Sequence, residues 1–147
     1  MKILARTLIA AAFVAHAASL LAVNVVGVWK GKVTIDSASA PKPQNDQQKQ
    51  AMEGGMAMVK KMVVTLTLKT NKTYTAEAKN APGKPGPEKS EGTWKQEGNA
   101  LWLTPAKDNG KPAPDKKPQK FLILDGGRKL SLAAEGMPPW VKVTFTR

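Results

Sequence analysis

Cysteine is absent from the chain, so neither a disulfide nor a thiolate site can form, and the fold must be held by packing and hydrogen bonds alone. Histidine occurs once, at His16, within the leading segment. The residues beyond it therefore lack the two side chains most often used as base and nucleophile near neutral pH. The carboxylates are scattered singly, as at Asp36, Glu77, Glu88, Asp108 and Glu135, and no pair is spaced for split acid and base roles. A glycine-rich phosphate loop after a strand is also missing, since Pro82-Gly83-Lys84-Pro85-Gly86-Pro87 has the composition of a stiff linker. These absences argue against an enzyme, and neither a cofactor nor a metal centre is expected. Arginine is scarce too, because 20 of the 23 basic residues are Lys. Lysine meets phosphate as a point charge, whereas base reading leans on the arginine fork, so sequence-specific nucleic-acid binding is not expected.

The residues from Met1 to about Ala22 read as an export signal. Lys2 and Arg6 give a positive start, Thr7 to Ala15 an apolar run, and Ala15-His16-Ala17 a small-x-small cleavage site, with Leu21-Ala22 a later option. The charge-free run from Thr7 to Val28 is also long enough to cross a bilayer, at roughly 20 residues, so an uncleaved anchor is the competing reading. With no cysteine near the cleavage site, lipid attachment of the bacterial lipoprotein kind is excluded. The expected location is secreted or periplasmic after cleavage near Ala17 or Ala22. Residues 23–147 then suffice for one domain with one core, and a monomer is expected. The net charge of +12 suits a solvated basic surface, with weak attraction to anionic envelope polymers as the alternative.

What the chain has in quantity is β-hairpin grammar. In Gly92-Thr93-Trp94-Lys95-Gln96-Glu97-Gly98-Asn99-Ala100-Leu101-Trp102-Leu103-Thr104, polar and large residues alternate on both sides of Gly98-Asn99, a two-residue turn pair. Gly27-Val28-Trp29 repeats Gly92-Thr93-Trp94, and Asp125-Gly126-Gly127 marks another tight turn. Alternation and β-branched content place eight strands near 25–35, 63–69, 73–79, 90–97, 100–104, 120–124, 129–133 and 140–147. The connections then sort by length. Those at 36–62, 80–89, 105–119 and 134–139 are long, and those at 70–72, 98–99 and 125–128 are tight. In an up-and-down meander, alternate connections share an end of the sheet, so one end is shut by turns and the other carries every long loop.

Closure follows from the first and last strands. Trp29, Val33 and Ile35 share a face with Gly27 and Gly31, and Val141, Val143, Phe145 and Arg147 share a face in the final strand. Paired antiparallel, these strands close an eight-stranded all-β, up-and-down barrel, a size filled by side chains or holding one small ligand. The pairing sets Arg147 beside Trp29 at the shut end, where a guanidinium can stack on the indole. A Gly-x-Trp on the first strand crossed by an Arg from the last resembles the structural signature of the calycins, the group of lipocalins, fatty-acid-binding proteins and avidins. Bacterial lipocalin-like domains are the nearest resemblance across most of residues 24–147, carried by the repeated turn, Gly-Thr-Trp and Glu-Gly-Asn-x-Leu pattern. The signature residues are Gly27, Trp29, Gly92, Trp94 and Arg147.

The first long connection carries an amphipathic helix, predicted over about 46–61 with Asn45 as its N-cap. Ala51, Met52, Met56, Met58, Val59 and Met62 fall in one arc, opposite Lys49, Glu53, Lys60 and Lys61. Gly54-Gly55 weakens this helix by roughly 1 kcal/mol per glycine, so it should form when docked, as a cover over the barrel mouth. Fatty-acid-binding proteins resemble this arrangement, with helices between their first two strands. Two other readings of the methionines stay open: a Cu(I) site of soft thioethers, and a pliant surface for a partner protein or lipid. The expected mouth is lined by Met52, Met56, Met58, Val59, Met137 and Trp140. The leading function is non-catalytic binding of a small apolar or amphipathic molecule there. The alternative is a structural or interaction module of the envelope with a filled barrel and a basic surface for anionic polymers.

Overall fold

The computed structural model describes residues 22–147, so the export signal expected over residues 1–22 lies almost wholly outside the described residues. Among the described residues, no helix is long and apolar enough to cross a membrane.

The strands run as β1 (Gly27–Ile35), β2 (Val63–Leu68), β3 (Thr73–Lys79), β4 (Glu88–Glu97), β5 (Ala100–Asp108), β6 (Lys111–Pro112), β7 (Gln119–Leu124), β8 (Lys129–Leu132) and β9 (Val141–Thr146), with one helix, α1 (Asp46–Lys61), between β1 and β2. Every pairing is antiparallel, and eight of the strands close into a barrel in the order β1-β2-β3-β4-β5-β7-β8-β9. Closure is the ladder between β1 and β9, where Gly31 faces Phe145, Val33 faces Val143 and Ile35 faces Val141. The two-residue β6 is an appendage of β5.

Period-two alternation fixes what faces inward. Along β1 the inward set is Trp29, Gly31, Val33 and Ile35, while Val28, Lys30, Lys32 and Thr34 are exposed. The tight connections between β2 and β3, β4 and β5, and β7 and β8 all gather at one end, and the four long ones at the other. In the turn between β4 and β5, φ is positive at Gly98 alone, at 59°, a conformation that glycine adopts without steric cost. Asn99 is not in that region; its carbonyl accepts the Ile123 N–H at 2.7 Å and pins the turn to β7.

The strand reading needs one substantial correction. Residues 105–108 are not part of a solvated loop, because β5 continues to Asp108 and hairpins back through β6. A β-bulge makes this possible. Gly92 pairs with Pro105 and Glu91 with Lys107, so Ala106 is the extra residue, and the proline sits where no ladder donor is required. The bulge presses the β5 backbone so close to Gly92 that a Cβ there would collide with the Thr104 carbonyl oxygen. Glycine at 92 is thus demanded by backbone approach. A smaller correction concerns Trp140, which precedes β9 and lies in the β8–β9 loop, its carbonyl accepting the Asp36 N–H at 2.8 Å.

The core occupies the shut half of the barrel. Trp29, Leu101 and Leu130 are fully buried, with Val25, Leu66, Leu68 and Leu103 nearly so. Val25 belongs to the segment that enters β1 across the shut end, and the Trp29 indole N–H donates to its carbonyl at 2.9 Å. No buried side-chain nitrogen or oxygen among the described residues lacks a partner.

Candidate ligand-binding cavity

The two ends of the barrel are built to opposite purposes. At the shut end, the Arg147 guanidinium lies 4.6 Å from the centre of the Trp29 ring. It donates to the carbonyls of Gly127 at 2.6 Å, Asn24 at 2.9 Å and Val26 at 3.3 Å. One side chain thereby ties β9, the entry segment and the β7–β8 turn together. The second Gly-x-Trp copy is treated alike: Lys72 sits 3.9 Å above the Trp94 ring, whose N–H donates to the Lys69 carbonyl at 3.0 Å. Gly27, with φ at 141°, lies close under the Arg147 side chain. Gly27, Trp29, Trp94 and Arg147 are therefore at, or lead into, the shut end, where they hold structure, while Gly92 lies further along β4, opposite Tyr74 and Pro105.

At the loop end the barrel is hollow. A cavity of about 330 Å³ opens there, and Leu66, Leu103, Phe121 and Phe145 separate it from the packed half. The two phenylalanines meet edge to face at 5.6 Å between ring centres, which fixes this floor. The space exists because the loop-end halves of β3 and β4 place small residues inward: Ala76, Ala78 and Ser90 line it where larger side chains would fill a barrel of this size. Val64, Leu132 and Val143 complete the apolar wall, and Met62, just after the helix, reaches it from the first long loop.

Polar groups also enter this wall, Gln119 of β7 among them. The Tyr74 hydroxyl and Ser90 Oγ are 3.1 Å apart, and Tyr74 is only 2% exposed. Burial pushes the Tyr74 phenol above its ordinary value of 10.0, against the smaller opposing effect of the Ser90 hydrogen bond. At the rim, Lys116 from the β6–β7 loop pairs with Asp108 at the end of β5, at 2.7 Å. Glu88 at the start of β4 also lines the cavity and pairs with Lys84 at 3.2 Å.

The residues expected at the mouth are placed differently. α1 forms as predicted, with Asn45 Oδ1 accepting the Gln48 N–H at 2.8 Å, but it buries no residue and packs beside β1. Met52, Met56 and Val59 are half-buried against the barrel, and Met58 is 55% exposed. Met137 and Trp140 are half-buried in the β8–β9 loop. None of these six lines the cavity; of the helix arc, only Met62 does. The helix is a strap and not a plug, since it buries no residue and a Cβ at Gly54 or Gly55 would meet nothing within 4 Å. The wall residues come from seven strands, and the signal that could have marked them is the run of small inward residues at Ala76, Ala78 and Ser90.

The first loop is also fastened at this end. The Asp36 carboxylate accepts from Ser39 Oγ at 2.8 Å and the Ala38 N–H at 3.1 Å, and these bonds hold its pKa below the ordinary 3.8. Compared with known proteins, the chain matches no family model and no curated protein.

Proposed function

We propose that this protein is an exported, non-catalytic binding protein that holds a small apolar or amphipathic molecule in the loop end of a lipocalin-like barrel. The observation that carries this reading is the cavity itself. Its volume of about 330 Å³ falls at the lower end of the range for small-molecule sites, and its wall is apolar with a few convergent polar groups. The Trp29–Arg147 arrangement supports kinship with bacterial lipocalin-like domains, and it closes the end opposite the cavity. The chemistry on the cavity wall suits binding better than turnover, because no imidazole stands there and the Asp108 carboxylate opposite Ser90 is engaged by Lys116.

The test is titration with N-phenyl-1-naphthylamine, a neutral apolar fluorophore that brightens on leaving water. The unaltered protein should bind it with saturable, one-to-one stoichiometry. Ala76→Leu, which puts three more carbons into the cavity, should weaken binding at least tenfold, whereas Met58→Ser on the exposed face of the helix should leave it unchanged. Equal binding by the Ala76→Leu protein would move the site elsewhere and remove the reading.

A further inference from the structure

Resting on the reading of the cavity as a ligand site, the polar groups on its wall narrow the class of ligand. The whole chain is strongly basic, at +12, yet none of that excess is free at the cavity. Of the ionisable groups that line it, Glu88 is paired with Lys84, Asp108 with Lys116, and Glu77 with Lys79 at 3.5 Å. Lys89, the remaining one, is exposed and follows Glu88 on β4, so alternation turns it to the outer face of the barrel. A carboxylate ligand would have to take Lys116 from Asp108 and leave that acid unpaired beside it. An ammonium ligand would have to take a carboxylate from its lysine. Either exchange also strips water from the incoming ion, and an exposed replacement pair returns little of that cost.

Tyr74 and Ser90 each carry one hydroxyl proton, and one of these is spent between them across 3.1 Å. Whichever group donates, the pair retains one O–H with no protein partner, together with free oxygen lone pairs. That proton sits at the junction of the apolar floor and the small-residue wall, since Tyr74 and Ser90 line the cavity with Leu66, Ala76 and Leu103. A partly buried hydroxyl of this kind is satisfied by a single ligand oxygen.

We infer that the cavity selects a neutral, compact, largely aliphatic molecule bearing one hydroxyl or carbonyl oxygen, which docks on the Tyr74–Ser90 hydroxyl pair, and that it rejects ions of either sign. The size is bounded by volume: about 330 Å³ lies at the lower end of small-molecule sites, so the ligand is no larger than a compact molecule of the fluorophore's size.

Competition against bound N-phenyl-1-naphthylamine at pH 7 tests this with 1-octanol, octanoate and octylammonium, which share one tail and differ in head group. Octanol should displace the fluorophore at least tenfold more effectively than either ion. In the Tyr74→Phe/Ser90→Ala protein, octanol should weaken about three- to tenfold while the fluorophore, which needs no oxygen contact, keeps its affinity. Ser90→Ala alone should give a smaller loss in the same direction and covers the case in which the double variant folds poorly. If octanoate or octylammonium matches octanol, the ligand class is wrong although the cavity remains a site. If octanol binds equally well to every variant, the hydroxyl pair is not its dock. If the fluorophore does not bind the unaltered protein, the underlying reading fails and this inference with it.

Discussion

Truncating Arg147 to alanine should open the shut end. Its guanidinium stacks at 4.6 Å on Trp29 and donates to three backbone carbonyls, the closest at 2.6 and 2.9 Å. An exposed cation–π contact contributes about 0.5–1 kcal/mol. Arg147 is solvent-exposed, so each of the two short hydrogen bonds is discounted from the usual charged value to about 0.5–1 kcal/mol, and the 3.3 Å bond to Val26 to less. The sum is about 2 kcal/mol. For a domain of this size that corresponds to a Tm lowered by about 8 °C. Lysine at the same position keeps the charge but loses the planar fork, so Arg147→Lys should recover less than half of the loss. Differential scanning calorimetry of the three proteins at one pH and salt concentration reads this directly. A Tm for Arg147→Ala within about 1 °C of the parent, or complete rescue by lysine, would refute the claim that stacking and fork geometry tie the end together.

Two further predictions concern titration and the helix. Tyr74 is the chain's only tyrosine, so absorbance near 295 nm follows one phenol. Its midpoint should lie above 10.0 in the folded protein and return to about 10 in urea. Because the folded value is the raised one, the associated stability is fully present below pH 10 and lost as pH climbs through the folded midpoint, so the urea midpoint should fall over that interval. A folded midpoint at or below 10 would contradict the buried setting. Gly54→Ala/Gly55→Ala should raise helicity at 222 nm and add about 0.5–1 kcal/mol per site, because a Cβ at either position meets nothing within 4 Å. Reduced helicity would show that the glycines serve a bend or contact in α1.

Most of the barrel could be read from the sequence because its signals are local. Alternation in Val63–Leu68, the Gly98-Asn99 turn and the Asn45 cap each depend on a few neighbouring residues, and the pairing of β1 with β9 follows from two matched faces. The extension of β5 past Pro105 was not readable, since a proline normally ends a central strand; it is rescued here by a bulge opposite a glycine 13 positions earlier. The cavity was hidden for a different reason. Hollowness is a sum of volumes over strands far apart in sequence, and no single residue announces it. Loop position alone suggested Met137 and Trp140, whereas the wall is made by inward residues such as Ala76, Ser90 and Leu103, whose small or ordinary size reads as core filling one strand at a time. For α1, periodicity correctly set the helix but not its docking partner, and with Met58 exposed it lies beside the opening.

The most direct test of the ligand-carrying account is native mass spectrometry of the protein purified from its own host, followed by solvent extraction of whatever travels with it. The account predicts a stoichiometric adduct of a neutral, mainly aliphatic molecule that survives mild desolvation and is lost from the Ala76→Leu protein. A clean apo mass from freshly isolated protein, or an adduct that persists unchanged in that variant, would contradict it.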